Sequence, residues 1–195
     1  MSIVLKNLTK SYGGKIVLDK LNYTFPDTGT VIINGKSGIG KTTLLRLIAG
    51  LDNDYEGLIE FTPPANVSYS FQEHRLFPQL NALNNVLMVS FERYSDKEKK
   101  LAIDLLTDLG FTENDMKLFP NELSGGMKGR ISFARAILFD KPILLLDEPT
   151  KELDEESKQA VLRIINGLSS TKLIILVTHD TDLSYLNEPT FLTLH

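Results

Sequence analysis

The apolar run Val31-Ile32-Ile33 leads into Gly35-Lys36-Ser37-Gly38-Ile39-Gly40-Lys41-Thr42, and the helix-like run Thr43-Leu44-Leu45-Arg46-Leu47-Ile48 follows directly. Strand, glycine-rich turn and helix in that order build a phosphate cradle. Gly35, Gly38 and Gly40 allow backbone paths that a Cβ hinders, so successive N–H groups point at phosphate oxygens beside the positive end of the helix. Lys41 adds a full positive charge. Thr42 offers a hydroxyl to a magnesium ion bridging β- and γ-phosphates. A bare glycine pattern also arises by chance, and the strand before it and the helix after it argue against that reading here.

A chain of 195 residues fits one domain, or one domain with a subsidiary lobe, and is long enough for a substantial core. Its 42% hydrophobic and 24% charged residues are ordinary for a globular protein. A net charge of -4 supplies no global field for nucleic acid, so no nucleic-acid partner is expected. With no cysteine, disulfides, thiolate metal sites and cysteine catalysis are excluded together. The start Met1-Ser2-Ile3-Val4-Leu5-Lys6 is not a secretory leader, and no run approaches the roughly 18 apolar residues of a membrane span. The expectation is a chain that is neither exported nor membrane-spanning.

Strands are expected at Ile3 to Leu8, at Ile16 to Phe25, at Leu58 to Phe61 and at Val67 to Phe71, the last two separated by Thr62-Pro63-Pro64-Ala65. From Leu80 to Leu138 the spacing turns helical. Leu101, Leu105, Leu106 and Leu109 predict one amphipathic face, with Lys97, Lys99 and Lys100 a solvated start. Ile143 to Leu146 and Leu173 to Val177 are short continuous apolar runs, the pattern of strands buried on both faces of a parallel sheet.

The first of these runs ends in Asp147-Glu148-Pro149, with the proline stopping the ladder. Asp147 suits a magnesium shell, since a hard cation wants oxygen ligands. Glu148 is then placed to orient, or take a proton from, a water attacking the γ-phosphorus. Alone, the pair reads as an acidic turn after a core strand; an upstream phosphate loop gives it chemistry. Ser124-Gly125-Gly126 opens a second helical run, Ile131 to Leu138, with a hydroxyl and unobstructed N–H donors. Read structurally, Ser124 is a helix cap and the glycines a tight turn.

Phosphate loop, Gln72, serine-glycine turn, Asp-Glu pair and Val177-Thr178-His179-Asp180, in that order, resemble the nucleotide-binding subunit of ATP-binding cassette (ABC) transporters over nearly the whole chain. The resemblance implies an α/β fold: a P-loop NTPase (RecA-like) core, about residues 1–76 and 136–195, with a small antiparallel β subdomain and a helical signature subdomain, about 77–135. It implies ATP and Mg2+ as ligands. Tyr12 would stack on adenine, Gly35 through Thr43 form the Walker A loop, and Gln72 touch magnesium and sense a membrane partner. Ser124, Gly125 and Gly126 fit the signature, Asp147 and Glu148 Walker B and the catalytic carboxylate, Asp154 the D-loop, and His179 the switch histidine. Each has a plainer reading: Tyr12 as a strand aromatic, Gln72 as a loop amide, Asp154 as the cap of the next helix, His179 as a polar strand end.

The chain also departs from the pattern. Met127 stands where the signature has glutamine and resembles the nitrate, sulfonate and taurine importer branch. Gly129 replaces a common glutamine, and Lys151-Glu152 replaces small residues before Leu153-Asp154. By resemblance, one subunit's signature completes the site on another, giving two ATP molecules in a head-to-tail homodimer or paired cassette. A regulatory domain or second cassette is not expected. Phe71 to Pro78 resembles importer Q-loops and implies docking on a membrane permease at the inner face of the cell membrane. An exporter subunit, and a soluble cassette ATPase acting on DNA or ribosomes, stay open as alternatives.

Overall fold

The computed structural model describes residues 2–62, 66–89, 95–180 and 182–195; of the expected separator Thr62-Pro63-Pro64-Ala65, positions 63–65 lie outside them. In chain order the elements are β1 (Ser2–Tyr12), β2 (Lys15–Thr24), β3 (Gly29–Asn34), α1 (Lys41–Ile48), β4 (Glu56–Thr62) and β5 (Val67–Ser70). Then follow α2 (Ala82–Leu87), α3 (Asp96–Asp108), α4 (Gly125–Leu138), β6 (Ile143–Asp147), α5 (Glu155–Leu168), β7 (Leu173–Val177) and β8 (Thr190–Thr193). Among the described residues the strands make two sheets: an antiparallel one in the order β2-β1-β4 and a parallel one in the order β5-β6-β7-β3-β8.

The parallel sheet explains the unbroken apolar runs. Ile32, Leu144, Leu146, Ile174 and Leu176 enter the core under the helices α2 to α5. The alternate residues Val31, Ile33, Ile143, Leu145, Ile175 and Val177 enter a second core with α1 and the antiparallel sheet. Both faces are covered, so both sets must be apolar. Full burial of each such side chain is worth roughly 1.5–3 kcal/mol, so the sheet that carries the loops at its ends is held by apolar packing on both faces.

Helix starts are written into short polar side chains. Asn81 accepts from the Asn84 N–H at 2.8 Å to cap α2, and Ser95 and Glu98 form a reciprocal capping box on α3. On α3 the expected face needs correction: Ala102, Leu106 and Leu109 are buried, whereas Leu101 is 49% exposed. A step of about 100° per residue puts position 101 roughly 80° outside the stripe that 102, 106 and 109 define. Ile16 is likewise exposed on β2, while Leu18 and Phe25 are buried. The strand β8 went unpredicted. It is a four-residue edge strand with only Leu192 of its residues buried, so it carries no periodic signal.

Candidate active site

Strand register assembles the site. Asp147 pairs with Val177, and Val177 pairs with Ile33, so the ends of β6, β7 and β3 stand side by side in one row. All three strands run parallel, and the loops that leave them emerge on one edge of the sheet. That edge, beyond the carboxyl ends of the strands, is where open α/β sheets hold ligands.

From β3 the chain enters the glycine loop and then α1. Gly40 precedes α1 with φ 114°, and no side chain caps the helix there, so first-turn N–H groups face outward. A Cβ on Gly40 would lie 2.6 Å from Val17 Cγ1, and one on Gly35 2.8 Å from Ile39 Cγ2. The loop therefore takes this path only with glycine at both positions. Lys41, itself buried, donates from Nζ to the carbonyls of Gly35 at 2.7 Å and Lys36 at 3.1 Å. Ile39 packs into the core beneath.

Asp147 closes β6 from the other side. Thr42 Oγ1 donates to Asp147 Oδ1 at 3.2 Å, and the Tyr69 hydroxyl lies 3.4 Å from Oδ2. Burial pushes the Asp147 carboxyl above its ordinary pKa, with the neighbouring Glu148 charge acting in the same direction; the two hydroxyl contacts only partly offset this. Burial and the Asp147 charge likewise hold the Tyr69 phenol far above its usual value, so it remains a donor. Thr42, Gln72 and Asp147 line a common cavity of about 50 Å³. Hydroxyl, amide and carboxylate oxygens are the donor set of a hard divalent cation. Among the described residues no group of three or more His, Cys, Asp or Glu forms a metal site, so an ion held there would draw its other ligands from water and phosphate.

Glu148 sits in the left-handed region at φ 53°, a costly conformation for a residue with a side chain. Its N–H continues the ladder to the Val177 carbonyl at 2.8 Å. His179 Nε2 lies 3.5 Å from Glu148 Oε1, and Lys151 Nζ lies 3.8 Å from Oε2. Tyr12, Ser37, Gly38, Gly40, Lys41, Thr42, Thr43, Gln72, Glu148 and His179 all line one cavity of about 350 Å³.

Ser124, Gly125 and Gly126 are not among its lining residues. Ser124 Oγ accepts from the Met127 N–H at 3.2 Å and caps α4, and Asp154 Oδ1 accepts from Ser157 N at 2.9 Å and caps α5. The plainer reading of both residues therefore holds as geometry. The departures pack together as well. Glu152 lies over Gly125 and Gly126, and the His74 ring lies over Gly129. Arg135 donates to the carbonyls of His74 and Arg75 at 3.0 Å, tying the segment after Gln72 to α4.

Sequence reasoning placed Asp180 in the last motif but gave it no role. It accepts from Thr150, from Thr178 at 3.2 Å and pairs with Lys158 at 3.1 Å, so it braces the residue before it, His179, against the loop after Glu148. Burial pushes its carboxyl up, and these hydrogen bonds outweigh that and hold it below the usual range. An aspartate following a histidine carries no signal of its own. Missed outright were Val17, which lines the cavity, and Asp52, which holds the Tyr12 hydroxyl.

Comparison with known proteins bears on the family and the fold. The profile of the ABC transporter family matches residues 18–151. The "Aliphatic sulfonates import ATP-binding protein SsuB" of Bacillus anthracis is 37% identical over 190 residues, covering 92% of this chain and 74% of that protein. The "Aliphatic sulfonates import ATP-binding protein SsuB 2" of Rhodococcus jostii is 36% identical over 184 residues, covering 93% and 73%. Among solved structures, the dimeric post-hydrolysis state of the ATP-binding cassette MJ0796 bound to ADP and Pi matches with a TM-score of 0.86 at 28% identity, over 99% of this chain and 96% of that one. The parallel core with an added antiparallel sheet is thus the cassette architecture expected from the motifs. A profile match over most of the sequence, relatives covered along nearly three quarters of their length and a shared fold together establish that the chain belongs to the ABC transporter family.

Proposed function

We propose that this chain is the ATP-binding and ATP-hydrolysing subunit of an ABC importer, driving substrate through a separate membrane permease. The observation that carries the proposal is the convergence of the glycine loop, Glu148 and His179 on one cavity, one of whose lining residues, Thr42, is bonded to Asp147.

Hydrolysis of a γ-phosphate needs positioning and charge neutralisation more than covalent chemistry. In this reading Gly35, Lys36, Ser37, Gly38, Ile39, Gly40 and Thr43 supply backbone and hydroxyl contacts, and Lys41 turns from the loop carbonyls to the phosphates. Tyr12 faces the adenine. Thr42, Asp147 and Gln72 would hold Mg2+, which neutralises charge on the phosphates. Glu148 orients the attacking water, and His179, 3.5 Å from that carboxylate, steadies it and polarises the phosphoryl oxygen. Ser124, Gly125 and Gly126 lie outside the cavity of their own chain and serve the nucleotide of a second cassette, in a head-to-tail pair.

The named relatives point to import, with aliphatic sulfonates the substrate class to test first. Among the described residues no helix is long and apolar enough to cross a membrane. The subunit then works in the cytoplasm, docked on the inner face of the membrane, and its permease selects the cargo. Co-purification with an integral membrane protein tests the partner. Glu148→Gln tests the site: ATP binding persists while turnover falls by roughly 10²-fold or more, the usual cost of a transition-state group. Turnover at the parent rate would remove Glu148 from the reaction.

A further inference from the structure

Tyr12 lines the cavity and is itself 47% exposed. An exposed tyrosine on a strand end ordinarily samples several rotamers. This one cannot swing freely, because its hydroxyl donates to Asp52 Oδ2 at 2.9 Å. Asp52 is in turn held by Lys10. The Lys10 ammonium lies 3.0 Å from Asp52 Oδ1 and 3.2 Å from Asp54 Oδ2, and it donates to the Asp54 carbonyl. Lys10 is only 2% exposed, and its charge sits 4.6 Å from the centroid of the Tyr12 ring. A buried ammonium with a carboxylate partner is a rigid post, since releasing either leaves an uncompensated charge.

The post joins two parts of the chain. Lys10 and Tyr12 belong to β1, whereas Asp52 follows α1, the helix whose first turn faces the phosphate cavity. Groups at the two ends of α1 thereby fix both the cradle and the aromatic wall. Burial works against the Lys10 charge and the Asp52 and Asp54 hydrogen bonds outweigh it, so the post stays charged well above neutral pH. Partial burial and the Asp52 carboxylate both penalise the phenolate, so Tyr12 stays a donor.

We propose that Asp52, anchored by Lys10, is a positioning residue that locks the Tyr12 ring as a preorganised face for the nucleobase of the bound nucleoside triphosphate. This rests on the nucleotide reading of the cavity given above. Locking one side chain before binding spares its ordering cost, so its loss weakens affinity by about 3- to 10-fold. The contribution is confined to the base. A ligand consisting of phosphates alone gains nothing from it.

The experiment is calorimetric titration of parent, Tyr12→Phe and Asp52→Ala with ATP and with inorganic tripolyphosphate, both with Mg2+. Tyr12→Phe deletes only the hydroxyl and leaves the Lys10–Asp52 pair intact, so it reads the lock without a folding risk. Both variants should lose about 3- to 10-fold in ATP affinity and keep the parent's tripolyphosphate affinity. In Asp52→Ala the KM for ATP rises while kcat at saturation holds. Asp52→Asn, which keeps an oxygen for the Tyr12 hydroxyl, recovers part of the loss. Unchanged ATP affinity in Tyr12→Phe, or equal weakening of both ligands, overturns the proposal while the cavity keeps its function. A parent protein that binds neither ligand overturns the nucleotide reading itself and this inference with it.

Discussion

Asp147 is 2% exposed, and the hydroxyls of Thr42 and Tyr69 reach its carboxylate. Two neutral donors do not offset the loss of water around a full charge, and this is why its pKa is raised. A carboxyl whose folded pKa exceeds its unfolded one favours the protonated fold. Stability from this group is therefore fully present below the unfolded pKa and is lost as pH rises from there through the folded one. Asp147→Asn removes the charge and keeps an acceptor for Thr42. The variant should melt above the parent at pH 7.5, and the gap should narrow as pH is lowered through the raised pKa and the parent's carboxyl takes up a proton. Melting curves from pH 8 to pH 4.5 without added divalent ion make the comparison, and a variant that melts lower at pH 7.5 contradicts it. Mg2+-dependent turnover should vanish in the same protein. The proposed Mg2+ role of Asp147 would account for a carboxylate kept at this cost.

At the start of α4 the two signature glycines differ in what surrounds them. A Cβ on Gly126 would meet the Glu152 backbone carbonyl at 2.9 Å, and that oxygen cannot retreat without moving the loop before Asp154. A Cβ on Gly125 would meet only the end of the Glu152 side chain, which rotates away. Gly126→Ala should then lose roughly 1–3 kcal/mol, the usual cost of overpacking, which is several degrees in melting temperature for a chain of this size. Gly125→Ala should melt close to the parent. Equal melting temperatures for the two would show that Glu152 is not seated over the helix start. This contrast lay beyond sequence reading. The cap at Ser124 and the strand-loop-helix of the glycine loop were legible, because local chemistry fixes them. The neighbour of Gly126 depends on where Lys151-Glu152 lands, and Glu152 lands there through a left-handed φ of 62° that no local pattern announces. The edge strand β8 escaped for a related reason, since the burial of Leu192 alone among its residues is decided by tertiary packing, whereas Leu101 was legible: the helical period itself sets it off the stripe of Ala102, Leu106 and Leu109.

The molecule as a whole brings the ends of β3, β6 and β7 together by parallel pairing, yet leaves Ser124 outside the cavity they form. The motif order made both features readable as a family pattern; the 40-residue separation of Tyr12 and Asp52 did not announce their bond. If each chain lends its α4 start to the other's nucleotide, defects in the two motifs complement across a pair. A Lys41→Ala chain has a crippled cradle and an intact Ser124; a Ser124→Arg chain has the reverse. Each alone should be inactive. In a mixed pair, one site takes its cradle from the second chain and its serine from the first, and is whole. Random pairing of equal amounts makes half the dimers mixed, each with one of two sites intact, so the mixture should recover about a quarter of the parent turnover by the symmetry of a two-fold pair. Separate inactivity followed by recovery on mixing requires an active centre shared between chains. A mixture as inactive as its parts would mean that each chain completes its own site, and the head-to-tail assignment of Ser124, Gly125 and Gly126 would fall.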